Sequence, residues 1–334
     1  MLKIMNRRGL NWVIPTVIGG SLLLALPWFG RAYYTHIFIL IFLNIILAMG
    51  YRLLYVTGLV SFCHVTFYAI GAYTSAILAM KLGLPFGICF LGGGIAAAAA
   101  AAFLILVTSK ARGAYFFLIS FSFLGVMNTV FMQWRSVTGG ASGITSIPPI
   151  ISGFDTVVNN YYIFFAFTIL TIFIMYLLDR SRFGSELMAI GEAEDLAEVI
   201  GIDVLRHRMV AAAIGALFAG FAGSLFAHYE SFIAPTSFPM WTTIYILSWC
   251  VIGGVRKFWG PIVGAVLMTA ISEYGRMMGA MHAIFYAAVL LAVIMAMPNG
   301  IVGLVDTLRT RFGRRQYLGG DTKLGAGPPP VVDE

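Results

Sequence analysis

Charge is what this chain has least of. Of its 334 residues only 10% are Asp, Glu, Lys or Arg, against 60% hydrophobic, and the mean hydropathy is +0.91. Soluble domains carry about 25% charged residues. No soluble fold could hide so much apolar surface, so a soluble architecture is excluded. Cysteine is scarce as well. Cys63, Cys89 and Cys250 all sit in apolar runs, where free Cys acts as a small hydrophobe. An odd number without a C-x-x-C spacing argues against a disulfide framework and against zinc. Catalytic signatures are also missing: there is no G-x-x-x-x-G-K-[ST] loop for ATP phosphates, no H-E-x-x-H among the five histidines and no G-x-S-x-G. Neither catalytic residues nor metal ligands are expected in this chain.

Long apolar runs are present in quantity. A span needs roughly 20 predominantly apolar residues, and candidates fall at 12–30, 34–51, 57–80, 85–107, 113–134, 160–178, 209–227, 241–255, 259–278 and 284–305. The runs are continuous and do not alternate in ten-residue strands, which excludes an outer-membrane barrel. The expected fold is therefore an all-α polytopic membrane protein with about ten transmembrane helices. Residues 1–305 would form the transmembrane domain, with an external loop at 135–159 and an internal loop at 179–208. Residues 306–334 would form a basic, then Gly/Pro-rich tail. The first run is too long for a signal-peptide core and reads as an uncleaved span.

The net charge of +7 reflects topology and does not point to nucleic acid. With both termini cytoplasmic, ten spans put every Lys and Arg on the inner side except Arg31, Lys81, Arg135 and Arg276. That is the bias the positive-inside rule predicts. Ten spans divide as five and five, and an odd number per half requires inverted halves. The third spans of the halves, 57–80 and 241–255, are then respectively glycine-interrupted and short. Broken segments at matching positions point to a permeation site.

The internal loop carries the most information. Leu187, Ile190, Ala193, Ala197 and Ile200 form one apolar stripe on a helix of about four turns, flanked by Glu186, Glu192, Glu194, Asp195 and Glu198. Gly201 is placed to stop that helix and Asp203 to cap the next. A helix resting on headgroups favours Lys and Arg on its polar face. This one is acidic and suits a groove on a partner protein better. Within the spans, polar residues are costly and raise functional hypotheses. Ser61, His64, Thr66 and Tyr68 are the candidates for a translocation pathway, with interhelical hydrogen bonding as the alternative, favoured for Ser61, Thr74 and Ser75. Glu273 and Arg276, three residues apart, read as a structural pair.

The loop resembles the coupling loop of ABC-importer permeases: Asp195-Leu196-Ala197 followed by Gly201 loosely meets their E-A-A-x-x-x-G pattern. The wider sequence resembles LivM-type permeases of branched-chain amino-acid importers. The matches include Gly58-Leu-Val-Ser61, His64, Ile70-Gly-Ala-Tyr73, Thr138-Gly139-Gly140, Ser181-Arg-Phe-Gly184, Ala189-Ile190, Gly201-Ile202-Asp203, Gly253-Gly254 and Gly260-Pro261. The chain departs from the family at Gly191, where an Arg is usual, and at Arg256-Lys257, where a small residue is usual. The resemblance implies a cobalamin-importer-like architecture in a bacterial inner membrane. It implies coupling through Gly184, Ala189, Ile190, Glu192, Asp195, Ala197 and Gly201. It also implies a LivH-like permease partner, two cytoplasmic ATPases that hold the ATP and Mg, and an extracytoplasmic binding protein. No cofactor belongs to this chain. Branched-chain or other amino acids are the implied cargo, with urea, short amides or small organic acids as alternatives. An ion-coupled carrier is the alternative from another class, but it would need more intramembrane carboxylates than Glu273.

Overall fold

A helix that is apolar on every side has no face for solvent and belongs inside a bundle. Ala32–Tyr55 (α1) is that helix, its buried residues running from Thr35 to Leu54. The computed structural model describes residues 32–111, 113–151, 156–276 and 279–296, with isolated positions 27, 300, 301 and 303. Around α1 stand His64–Leu82 (α2), Phe86–Val107 (α3), Ala114–Gln133 (α4), the short Arg135–Thr138 (α5), Val157–Arg180 (α6), Arg182–Glu192 (α7) and Glu194–Val199 (α8). Val204–Glu230 (α9), Met240–Gly253 (α10), Gly260–Arg276 (α11) and His282–Ala296 (α12) follow.

Among the described residues six helices, α1, α2, α3, α4, α6 and α9, are long and apolar enough to cross a membrane. The protein is an all-α, multi-pass membrane protein. The expected spans 34–51, 85–107, 113–134, 160–178 and 209–227 each coincide with one of these six. The runs 241–255, 259–278 and 284–305 coincide with α10, α11 and α12, whose described helices have 14, 17 and 15 residues. Pro239 and Gly254, the latter at φ +98°, bound α10 and shorten it. The expected span at 12–30 and the tail at 306–334 lie outside the described residues.

The run 57–80 is not one helix. Its first seven residues are non-helical, and α2 begins only at His64. Gly58 at φ +81° turns the chain out of α1. Thr57, Leu59, Ser61 and Cys63 are buried all the same. Irregular backbone at membrane depth is tolerated only inside protein, where its polar groups find partners. Here the Phe62 N–H donates to Ser120 Oγ of α4 at 2.9 Å, and the Val65 N–H to Thr243 Oγ1 of α10 at 3.4 Å.

α9 packs along α2, α3 and α1; α1 also meets α6, α10 and α11; and α10 lies on α11. Helix association in lipid relies on close packing of small residues, because the tails are as apolar as the helices. Gly50 of α1 and Gly215 of α9 cross backbone to backbone: a Cβ on Gly50 would sit 2.6 Å from the Gly215 carbonyl oxygen. Gly223 lies equally tight on the Tyr68 carbonyl of α2.

The end of the bundle away from α7 and α8 is closed by the 135–151 loop. Its strand Ile144–Thr145 (β1) pairs antiparallel with Phe232–Ile233 (β2), with Ile144 opposite Ile233. His228 of α9 holds the same end, one ring nitrogen 2.7 Å from the Pro148 carbonyl and the other 2.9 Å from Ser75 Oγ of α2. Ser75 therefore makes an interhelical bond. Arg276 donates to Glu273 at 3.0 Å, the structural pair expected there.

Candidate functional site: the α7–α8 hairpin and the break before α2

Ser181 ends α6 and begins α7, its hydroxyl oxygen accepting from the Gly184 N–H at 3.3 Å. Gly184 is buried at that corner, where a Cβ would run into the carbonyls of Leu178 and Asp179. α7 then carries Leu187 and Ile190 inward, at 1% and 2% exposure. The single four-turn helix expected from the apolar spacing is not formed. Ala193, at φ −155° and ψ 91°, is extended and divides α7 from α8. The break folds Ala197 back so that it clusters with Ile190, Val204 and Ile202. It also takes Ile200 off the stripe: Ile200 is 66% exposed, with Leu196 and Val199 beside it at 62% and 82%. The hairpin thus shows an apolar patch bordered by Asp195 and Glu198, both exposed.

The stop is as expected. Gly201 adopts φ +89°. The Ile202 N–H bonds back to the Ala197 carbonyl at 3.0 Å and the Gly201 N–H to Glu198 at 3.0 Å, the paired bonds of a Schellman turn. Asp203 accepts from the Arg206 N–H at 2.9 Å and so caps α9.

Charged groups tie the hairpin to the bundle. Arg208, one turn into α9, donates to both Glu194 oxygens at 2.8 Å and to the Thr57 carbonyl at 3.1 Å. A fork-to-fork pair of this kind is stronger and more directional than a point contact. His207 bonds Glu186 of α7 at 2.8 Å and the Asp203 carbonyl at 2.7 Å. Glu192 faces Arg256 at 3.8 Å, both side chains well exposed. On the other side of the break Arg52 of α1, 2% exposed, pairs with Asp179 of α6 at 2.6 Å. Arg52 also donates to the Val255 carbonyl at 2.9 Å and lies over the Phe258 ring.

Gly191 has no room for a side chain. A Cβ there would collide with the Val56 carbonyl and lie 3.3 Å from the Gly58 nitrogen. The hairpin therefore rests directly on the backbone break that opens α2.

The seven loop residues singled out from the sequence lie along the hairpin and its end, on both of its sides. Gly184, Ile190 and Ala197 lie on the inner side, Ala189 is half-buried, and Glu192, Asp195 and Gly201 face out. The four intramembrane candidates are buried but do not converge. Ser61 contacts Cys63 Sγ at 3.3 Å, Tyr68 packs on Phe226 and Phe238, and His64 lies edge-on to Tyr51 with its Nε2 unpaired among the described residues. Thr66 alone lines a small cavity, with Asn128 and Phe131 of α4 and Phe238. The Asn128 Oδ1 is buried there without a partner among the described residues. Sequence reasoning missed Arg208, Arg52, Asp179 and Asn128, and read Glu194 only as a flank of the loop's apolar stripe. A signal existed for Arg52 and Arg208, since a charge a turn inside an apolar helix requires a partner.

The span broken before α2 is the kind of discontinuous membrane helix that transporters place at their substrate sites. The model of the branched-chain amino acid transport system permease component matches residues 33–298, so the chain belongs to that family. It is 27% identical to the high-affinity branched-chain amino acid transport system permease protein LivM of Salmonella typhimurium, over 80% of this chain and 68% of that protein. It is 27% identical to LivM of Escherichia coli over the same shares, and 25% identical to LivH of Escherichia coli over 77% of this chain and 90% of LivH. No solved structure matches.

Proposed function

We propose that this chain is the permease subunit of an ABC importer that moves branched-chain or other small amino acids inward, driven by ATP hydrolysed on separate subunits. The observation that carries this reading is the hairpin. It presents an acidic-rimmed apolar patch outward and is fastened inward, through Arg208 and Gly191, to the break before α2. ATPase closure against Leu196, Val199 and Ile200 would push the hairpin as a unit, and the Glu194–Arg208–Thr57 contacts would pass that motion to α2.

Inverted halves of five spans are supported by a repeated pattern. After α1 an irregular stretch precedes α2, and after α9 an irregular stretch of β2 and Pro235–Ser237 precedes α10. The two stretches lie at opposite ends of the bundle. α9 packs on the pair α2–α3, as α1 packs on the pair α10–α11. In this reading the fold is cobalamin-importer-like and sits in a bacterial inner membrane, with the hairpin and both termini cytoplasmic. The partners in this reading are a LivH-like permease, two ATPases and an extracytoplasmic binding protein. The chain has no ATPase site of its own. The cavity between α2 and α4, with Thr66 and Asn128, is the part of the pathway this chain would contribute.

The test is uptake into vesicles holding the reconstituted complex, with ATP inside and the proton gradient collapsed. Continued uptake of a branched-chain amino acid is expected. Loss of uptake on collapsing the gradient, or ATP hydrolysis by this chain alone, would overturn the reading.

A further inference from the structure

On α6 the residues Ile169, Ile172, Phe173, Tyr176 and Arg180 stand at i, i+3, i+4, i+7 and i+11, so they occupy a single face. Over these eleven steps the face runs about 16 Å along the helix axis. Phe258 and Trp259, from the connection between α10 and α11, form the opposite wall of a groove of about 370 Å³. Ile169 is 51% exposed, Phe173 58% and Trp259 56%, so the groove opens on the outer surface of the bundle. Its walls are apolar for their whole length until Arg180. That guanidinium lies 5.2 Å from the Tyr176 ring and closes the groove at the hairpin end. Arg182 follows two residues on, at the start of α7. The one acidic side chain at this corner of α6, Asp179, is bonded to Arg52.

We infer that this groove binds one anionic phospholipid of the bilayer. An acyl chain lies along α6 between Ile169 and Tyr176, and the headgroup phosphate rests on Arg180. From Ile169 to Tyr176 the face runs about 10 Å, the length of roughly eight methylenes in a chain parallel to a spanning helix. A cation at the membrane boundary, with Trp and Tyr at the same depth, matches the headgroup in charge and position. Among the described residues Arg180 is the one charged residue lining the groove, and its neighbour Asp179 is bonded to Arg52, so the site selects an anionic over a zwitterionic headgroup.

The groove wall is part of the clamp beneath the hairpin. Phe258 stacks edge-on to Tyr176 at 5.4 Å between ring centres and lies under Arg52. A lipid seated there steadies Phe258, and through Arg52 the end of α1.

The test is a photoactivatable phosphatidylglycerol carrying its reactive group on the acyl chain. It would be mixed into vesicles of phosphatidylethanolamine that hold the assembled complex, followed by peptide mapping of the label. Label is expected on α6 between residues 169 and 176, competed by unlabelled phosphatidylglycerol and not by phosphatidylcholine. R180Q is expected to reduce it at least fivefold and R180K by less. I172W, which fills the groove and keeps every charge, is expected to abolish it. Label competed equally by phosphatidylcholine, label unchanged in both R180Q and I172W, or transfer to a partner subunit seated in the groove would each overturn the inference. The readout is independent of transport, so it stands apart from the proposed function.

Discussion

Arg208 holds both oxygens of Glu194 at 2.8 Å while its other contact, at 3.1 Å, is the carbonyl of Thr57. One guanidinium thus joins the hairpin, the helix that follows it and the break that precedes α2. With side-chain exposures of 10% and 21%, the pair is mostly withdrawn from water. Removing one partner of a fully buried pair costs about 3–5 kcal/mol, and less is expected here because Glu194 is one-fifth exposed. E194Q is expected to leave the complex assembled but to lower uptake per ATP hydrolysed severalfold. R208K, which keeps the charge and loses the fork, should fall between E194Q and the native protein. The ratio of uptake to phosphate release in reconstituted vesicles measures both.

The hairpin also depends on how it ends. Gly201 at φ +89° is in a region β-branched residues avoid, so G201V is expected to distort the Schellman turn. D203A removes the cap on α9, at about 1 kcal/mol. Neither position touches the cavity at Thr66. Both variants should assemble, bind the partner subunits and lose coupling, with G201V the more affected.

The helix crossings give a sharper contrast. G50L and G223L each force a side chain into a facing backbone carbonyl. Overpacking of this kind typically costs 1–3 kcal/mol or more, and both variants are expected to fail to accumulate in the membrane. Gly125 of α4 has nothing within 4 Å of where its Cβ would stand. G125A should accumulate normally, or slightly better from helix propensity. Membrane-fraction abundance and thermal aggregation in detergent separate the two outcomes.

Much of this architecture is legible in the sequence, for identifiable reasons. Apolar runs bounded by glycine, proline or charge give α1, α3, α4, α6 and α9, because hydropathy in lipid is a local property. Gly201 and Asp203 are legible because caps are local chemistry. The division of the loop at Ala193 is not, because no breaker stands there. What sets it is the long-range attraction of Glu194 to Arg208, together with packing of Ala197 on Val204. The late start of α2 depends in the same way on partners far along the chain, Ser120 and Thr243. Gly191 looked like a missing charge and is instead a contact surface, which only the neighbouring Val56 backbone reveals.

In the proposed importer an ATPase subunit bears on the outward face of α8. The most direct measurement is cysteine cross-linking in the assembled complex, with cysteine placed at Val199 or Asp195 on the outward face and at Leu187 on the inner one. Val199 is 82% exposed and Leu187 1%. The account predicts that V199C and D195C cross-link to the ATPase, with a yield that changes between ATP-bound and nucleotide-free states, and that L187C does not. If V199C and D195C cross-link to no ATPase in the assembled complex, or are shielded by lipid, the hairpin lies on the membrane surface and the coupling account is wrong.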